Sequence, residues 1–183
     1  MTKLLLFLVI GVTGSIVAGV VLYFFAGILT MLAGQESQFN RTIIQEQIRS
    51  GIIEYPKVNI TINDQTLVAD VSATTEQRTL GLTVKNALAE NEAMLFVFEN
   101  EAKHKFWMKD MKFPIDIIWI SDDKRVVDIE NNLQPCNSGP FCSTYEPEGN
   151  SLYVLETASG LAQKFGIAKG SLVKFELNSQ NPL

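Results

Sequence analysis

Two cysteines, Cys136 and Cys142, stand six positions apart in a segment dense in turn residues. That spacing can bring their α-carbons within reach of a disulfide bond. Closing the ring of seven residues would stabilise the fold by roughly 2 to 2.5 kcal/mol on the loop-entropy model. Because disulfides persist mainly in oxidising compartments, the pair predicts a domain outside the cytoplasm.

Two other uses of the cysteines remain open. A redox dithiol is one, although the spacing differs from the Cys-x-x-Cys of thioredoxin-like sites. A soft metal such as Cu(I) is the other, with Met108, Met111 or His104 completing its ligands. The structural disulfide is favoured over both, so the sequence predicts neither a metal nor a cofactor.

The segment from Phe106 to Ile117 is the most distinctive part of the chain, because it alternates large aromatic residues with charges before a proline. The Trp107 ring could either pack against the face of a sheet or present a surface on which a ligand stacks. Asp116 is expected to be a buried carboxylate that forms an ion pair with Lys109 or Arg78. If there is a ligand site, we expect a groove rimmed by the loop 131–150, with these binding residues: Arg78, Trp107, Lys109 and Asp116.

The sequence favours a binding or accessory module over an enzyme, since no nucleophile, base and orienting group stand out. The expected ligand is a small polar molecule, a glycan or a partner protein. His104, the one histidine of the chain, lies between two lysines, where a solvated ring is expected. The alternative is a hydrolase that uses the Asp116 carboxylate together with Asp110 or Glu156 as an acid and base pair.

Short strands would have to position these residues. Alternating apolar runs, bounded by turn residues, predict strands at 58–62, 67–71, 94–98, 105–108, 115–120, 125–129, 152–156 and 172–177. Thr74 and Gln77 form a capping-box pattern for a short helix that ends near Gly81, and a second helix is expected from Ser159 to Phe165. The predicted fold class is α+β, a curled, mostly antiparallel sheet or small barrel with two short helices.

No charged residue stands between Leu4 and Gln35. A helix of this length, at about 1.5 Å per residue, exceeds the roughly 30 Å hydrocarbon core of a bilayer. The sequence therefore predicts a transmembrane anchor over 1–35, an amphipathic stalk and linker over 36–56, and a globular domain over 57–183. A cleaved secretory signal is the alternative, but Ala33 and Gly34 offer a poor cleavage site.

Positive charges flank the anchor on both sides and do not decide its orientation. The cysteine pair does, and it predicts a single-pass cell-membrane protein with its globular domain on the extracytoplasmic side. Gly11, Ser15 and Gly19 form a row of small residues through which two anchors could pair as a homodimer. A net charge of −5 argues against a nucleic-acid partner, which needs clustered lysines and arginines.

Several short motifs follow one another in a distinctive order along the chain. They are Arg78, Gly81-Leu82, Met94 to Phe98, Phe106 to Lys109, Pro114 to Ile117, Pro135-Cys136, Cys142, Tyr145, Val154 to Glu156, Gly160, Gly166-Ile167 and Gly170. This order resembles the domain of unknown function 192 family, also called uncharacterised protein family 0127, from about Lys57 to Leu177. The resemblance implies a compact β-rich fold, often exported or membrane-tethered, and brings no established activity, substrate or cofactor.

Overall fold

A computed structural model describes residues 54–136 and 141–177, together with four single helical positions, Ile28, Met31, Ile43 and Glu46. The chain divides into two units, Met1–Ser50 and Gly51–Leu183. Apart from those single positions, the predicted anchor, its small-residue row and most of the predicted stalk lie outside the described residues. Within the described residues, no helix has the length and apolar character needed to cross a bilayer.

Nine short strands and two short α-helices make up the described part of the second unit. Seven strands form one sheet in the order β6-β5-β8-β3-β2-β1-β9, and β4 pairs with β7 in a separate ribbon. The bounds are β1 Lys57–Ile62, β2 Gln65–Ser72, α1 Thr75–Leu80, a 3-10 turn Gly81–Val84, β3 Glu92–Ala102, β4 Phe106–Trp107, β5 Ile115–Ile120, β6 Val126–Leu133, β7 Thr144–Tyr145, β8 Ser151–Ala158, α2 Leu161–Lys164 and β9 Val173–Lys174.

The first hairpin follows directly from its turn residues. Asn63 and Asp64 both adopt positive φ angles, 46° and 64°, a conformation that short polar side chains tolerate. Ile62 therefore pairs with Gln65, and every second residue of β1 is buried. The strands predicted at 58–62 and 67–71 are confirmed, and they form this hairpin.

Helix α1 connects β2 to β3, which run parallel. The Gln77 backbone N–H donates to the Thr74 hydroxyl at 3.2 Å, and the Thr74 backbone N–H donates to the Gln77 side-chain oxygen at 2.9 Å. This reciprocal pair is the predicted capping box, and it sets the start of the helix. The helix in turn carries Arg78 to the sheet surface.

The large sheet curls until its edge strands meet. The Val126 N–H donates to the Ser171 carbonyl at 3.0 Å, and the Val173 N–H donates to the Lys124 carbonyl at 2.8 Å. The antiparallel strand pairs of this sheet are β1·β2, β1·β9, β3·β8, β5·β6 and β5·β8, and the pair β2·β3 is parallel. The antiparallel bridge between Arg125 and Leu172 joins the two edges. The predicted curled, mostly antiparallel sheet is therefore confirmed.

Each face of the curled sheet has its own apolar cluster. The inner face packs β-strand side chains such as Ile60, Leu95 and Leu155 against Leu161 of α2. The outer face is covered by the 3-10 turn and by the segment around β4, which bury Met94 and Trp119 there.

An aromatic cluster holds the segment around β4 against the outer face. The Phe106 ring meets the Phe96 and Trp119 rings edge to face, at centroid distances of 4.9 and 6.3 Å. The Trp119 indole N–H donates to the His104 carbonyl at 2.8 Å. The His104 ring stacks on Phe98 at 3.5 Å, and its burial lowers its pKa, so it is not the solvated ring that the sequence predicts.

Candidate functional site

A cleft opens on the outer face between α1, the 3-10 turn and the segment around β4. The cleft is small and partly open to solvent. We call it the Glu156 cleft. Its lining residues are Arg78, Thr79, Leu80, Gly81, Leu82, Thr83, Phe96, Phe106, Trp107, Lys109, Met111 and Glu156.

Glu156 provides the enclosed acid of the cleft. It lies on β8, where its neighbours across the sheet are Met94 on β3 and Ile117 on β5. The residue is 4% exposed, and its Oε2 atom has no hydrogen-bond partner within the described residues. Burial among these apolar neighbours raises the pKa of the carboxyl from 4.5 to about 8, so the acid is protonated at neutral pH.

Arg78 enters the cleft from the last turn of α1. Its Nη1 atom donates to the backbone carbonyls of Ala73 and Val97, the second at 3.1 Å. Its guanidinium carbon lies 5.4 Å from the centre of the Phe98 ring, within the range of a cation–π contact. These contacts fix the position of the positive charge at the wall of the cleft.

Trp107 and Lys109 form the opposite wall. Trp107 is 52% exposed, which is unusual for a large aromatic residue in a sheet-covering segment. The Lys109 Nζ atom lies 5.2 Å from the centre of the Trp107 ring. The wall therefore presents an aromatic surface and a positive charge side by side.

A disulfide supports this wall. Cys136 and Cys142 are joined, with their α-carbons 5.8 Å apart. The Cys136 N–H donates to the Met108 carbonyl at 2.9 Å, beside the bridge between Lys109 and Cys136. On the other side, Thr144 of β7 pairs with Trp107. The disulfide thus joins the two segments that flank Trp107 and Lys109.

Replacing both cysteines by serine is expected to lower the free energy of unfolding by about 2 kcal/mol, because the loop between them regains its entropy in the unfolded chain. Urea unfolding of the variant measures the loss. Wild-type protein in excess reductant serves as the control and should unfold at the same urea concentration as the variant. A loss below about 0.5 kcal/mol in both would show that the bond adds no stability to this wall.

Asp116 is the one proposed binding residue that the structure places away from the cleft. It is fully buried, and its partners are backbone N–H groups instead of the expected Lys109 or Arg78. The carboxylate accepts hydrogen bonds from Asn132 at 2.8 Å, from Gly160 at 3.0 Å and from Ala162 at 2.9 Å. Since Gly160 offers no side chain to cap α2, the carboxylate does so from β5. Its role is structural.

The two carboxylates suggested for hydrolysis, Asp116 and Glu156, lie on opposite faces of the sheet. Asp116 pairs with Thr157, whereas Glu156 pairs with Ile117. Because side chains alternate between the two faces along a strand, neighbouring positions in this register point in opposite directions. Asp110 is exposed, in a turn outside the cleft lining. The structure therefore does not bring these groups together as an acid and base pair.

The structure unites Arg78, Trp107 and Lys109, but it differs from the sequence prediction at the rim and at the floor. The rim comes from residues 78–83 instead of the loop 131–150. Glu156 forms the floor, and the sequence did carry a signal for it. The acid shares its strand face with buried Val154, so an ionisable residue stands at a buried position of an apolar strand. In the described ranges, no three potential metal ligands among histidine, cysteine, aspartate and glutamate converge.

Two solved structures share this fold. A proposed transcription regulator from Sinorhizobium meliloti 1021 is 23% identical, with a TM-score of 0.61 over 67% of this chain and 96% of that chain. A protein of unknown function from Novosphingobium aromaticivorans DSM 12444 is 29% identical, with a TM-score of 0.58 over 66% of this chain and 84% of that chain. The chain matches no curated protein. Residues 58–175 match the family DUF192, described as an uncharacterized ACR, and the chain therefore belongs to the DUF192 family.

Proposed function

We propose that this domain is a binding module that takes a small polar ligand in the Glu156 cleft. The observation that carries the proposal is the enclosed Glu156 Oε2 atom, which has no partner in the described part of the chain. Burying a polar group without a hydrogen bond costs free energy, on the order of 1 to 3 kcal/mol. A ligand group that reaches the floor of the cleft would supply the missing hydrogen bond and recover that cost.

The lining favours binding over nucleophilic catalysis. Thr79 and Thr83 are the hydroxyl-bearing residues of the lining, and each donates its proton to a backbone carbonyl, at 2.7 and 2.6 Å. A hydroxyl becomes a good nucleophile when a nearby base takes its proton, and here a carbonyl holds that proton instead. The remaining groups of the lining offer an aromatic surface, two positive charges and a hydrogen-bond donor, which are means of recognition.

The test is a binding screen of the 183-residue chain, purified in detergent, against sugars, organic acids and amino acids. We expect one chemical class to bind, and we expect Trp107→Ala and Glu156→Leu each to weaken that binding about tenfold. Phe141→Ala is the matched control, because Phe141 is 86% exposed and is not part of the cleft lining. Binding that none of these variants changes would contradict the proposed site.

We further propose that the domain is tethered to the outer face of a cell membrane by its N-terminal segment. Two features support this proposal, the uncharged stretch between Leu4 and Gln35 and the disulfide between Cys136 and Cys142. Because such a bond persists in oxidising surroundings, an extracytoplasmic location suits it. The positive charge of Lys3 would then remain on the cytoplasmic side.

Fractionation and thiol labelling of intact cells test the tether. We expect the chain to stay with carbonate-washed membranes, and its cysteines to react with an impermeant maleimide only after reduction. A variant with an exposed extra thiol, Asp123→Cys, controls for access of the reagent, since Asp123 lies in an exposed turn. A chain found in the soluble cytosolic fraction, or an Asp123→Cys thiol that the impermeant reagent does not reach in intact cells, would refute the tether.

A further inference from the structure

We infer that the Glu156 cleft selects a small hydroxyl-bearing carboxylate, a sugar acid, instead of a neutral sugar or an amine. The inference rests on the proposed function and specifies its ligand. In this arrangement the carboxylate of the ligand lies near Arg78 and Lys109, a hydroxyl accepts a hydrogen bond from Glu156, and the ring lies against Trp107.

The positive charges around the cleft indicate that its ligand is an anion. Arg78 and Lys109 form no ion pair with a carboxylate within the described residues, although the chain as a whole has a net charge of −5. Lys57, Lys85, Lys105, Lys164 and Lys169 are paired with acids within 4 Å, whereas Lys112 and Lys124 form no such pair among the described residues either. Arg78 and Lys109 differ from these two because both line the same cleft. Two positive charges that line one cleft without an ion pair in the described part of the chain favour an anionic ligand.

The floor of the cleft does not oppose that anion. Burial holds the pKa of Glu156 at about 8, so the carboxyl is neutral and can donate a proton in a hydrogen bond at neutral pH. An ionised acid at this point would repel a carboxylate ligand and attract an amine. With a neutral floor, an amine would meet only the positive charges of Arg78 and Lys109.

The body of the ligand follows from the remaining surface. Trp107 exposes half of its area beside the cleft, and an aromatic ring of this kind packs against the apolar face of a sugar ring. The Thr79 and Thr83 oxygens already donate to backbone carbonyls, so they are left to accept hydrogen bonds from hydroxyl groups.

The experiment compares matched pairs of sugars by isothermal titration calorimetry with the 183-residue chain in detergent, at pH 6.5 and low salt. The probes are sodium D-galacturonate and D-glucuronate, with D-galactose and D-glucose as their neutral counterparts. We expect both acids to bind about tenfold more tightly than the neutral sugars, since hydrogen bonds to charged groups are the stronger ones. We also expect the binding of the acids to weaken above pH 8, where Glu156 ionises.

Two lysine variants separate charge recognition from general binding. Lys109→Gln should remove most of the preference for the acids over the neutral sugars. Lys105→Gln is the matched control, because Lys105 is exposed and paired with Glu146 at 2.6 Å. It should bind all four sugars like the wild type.

The outcomes distinguish the inference from the function on which it rests. Equal binding of acid and neutral sugars, with no effect of Lys109→Gln, would overturn the inference and leave the binding module intact. If none of the four sugars binds but a compound of another class binds in a manner that depends on Trp107, the inference is also overturned and the binding module remains. If no compound binds in a manner that depends on Trp107 or Glu156, both the inference and the proposed function are wrong.

Discussion

Replacing Asp116 by asparagine is expected to lower the free energy of unfolding by about 3 kcal/mol, because an amide cannot accept all the hydrogen bonds that the carboxylate accepts. Oδ1 serves the Asn132 and Gly160 N–H groups, and Oδ2 serves that of Ala162. In asparagine one of these oxygens becomes an NH2 group that faces a backbone donor. The site is fully buried, so water cannot replace the lost acceptor. Urea unfolding followed by the fluorescence of buried Trp119 measures the effect.

The matched control for this prediction is Asp122→Asn. It makes the same chemical change in an exposed turn between β5 and β6, where a shift within about 0.5 kcal/mol is expected. If both variants lose the same small amount, the three backbone groups do not depend on the carboxylate, and its structural role is disproved.

The second large effect concerns pH. Glu156 has a pKa of about 8 in the folded domain and an ordinary value of 4.5 when exposed, because burial disfavours its charged form. Between those two values the folded chain holds a proton that the unfolded chain has released. Stability must therefore fall as pH rises across this window, by about 1.4 kcal/mol per pH unit. The total loss between pH 5 and pH 8 is on the order of 4 kcal/mol.

Denaturant unfolding of wild type and Glu156→Gln across this pH range isolates the contribution of Glu156. The difference between the two curves should grow with pH in favour of the variant, since glutamine does not ionise. Glu99→Gln, a change at an exposed position of β3, should follow the wild-type curve. Parallel curves for wild type and Glu156→Gln would mean that Glu156 is ionised in the folded domain.

Other titrating groups do not confuse this comparison. Burial lowers the pKa of His104, so its contribution to stability is lost as pH falls below its ordinary value of 6.5, opposite in sign to that of Glu156. Burial alone would raise the pKa of Asp70, but hydrogen bonds from Lys57 and Lys85 lower it, so its contribution is lost only in more acid solution. Both groups are present in the wild type and in Glu156→Gln, and they cancel in the difference.

Local patterns predicted much of the fold because the interactions that set these elements lie close together in the chain. The Thr74 and Gln77 cap spans three residues, and the Asn63-Asp64 turn fixes the hairpin between its own neighbours. The two-residue strand β7 was not predicted. It has no apolar pattern of its own and is a strand only through its pairing with β4.

The candidate site was predicted in part. Arg78, Trp107 and Lys109 belong to separate segments that the fold brings to one cleft, and their residue types alone suggested a ligand site. Asp116 stood in the same conspicuous segment, yet it faces the other side of the sheet, where it holds backbone groups. Sequence spacing does not distinguish these two uses of a buried carboxylate.

By itself, the sequence determined the short strands, the capped helix and the cysteine pair, since each depends on neighbouring residues. Only the tertiary structure decided which carboxyl faces the cleft, because the facing side depends on the alignment of β5 with β8. Their register sets Asp116 opposite Thr157 and Glu156 opposite Ile117. The tertiary structure also decided that Glu156 holds its proton at neutral pH. Its burial comes from α1, the 3-10 turn and the β4 segment, which lie dozens of residues away in the chain and exclude water only when the domain is folded.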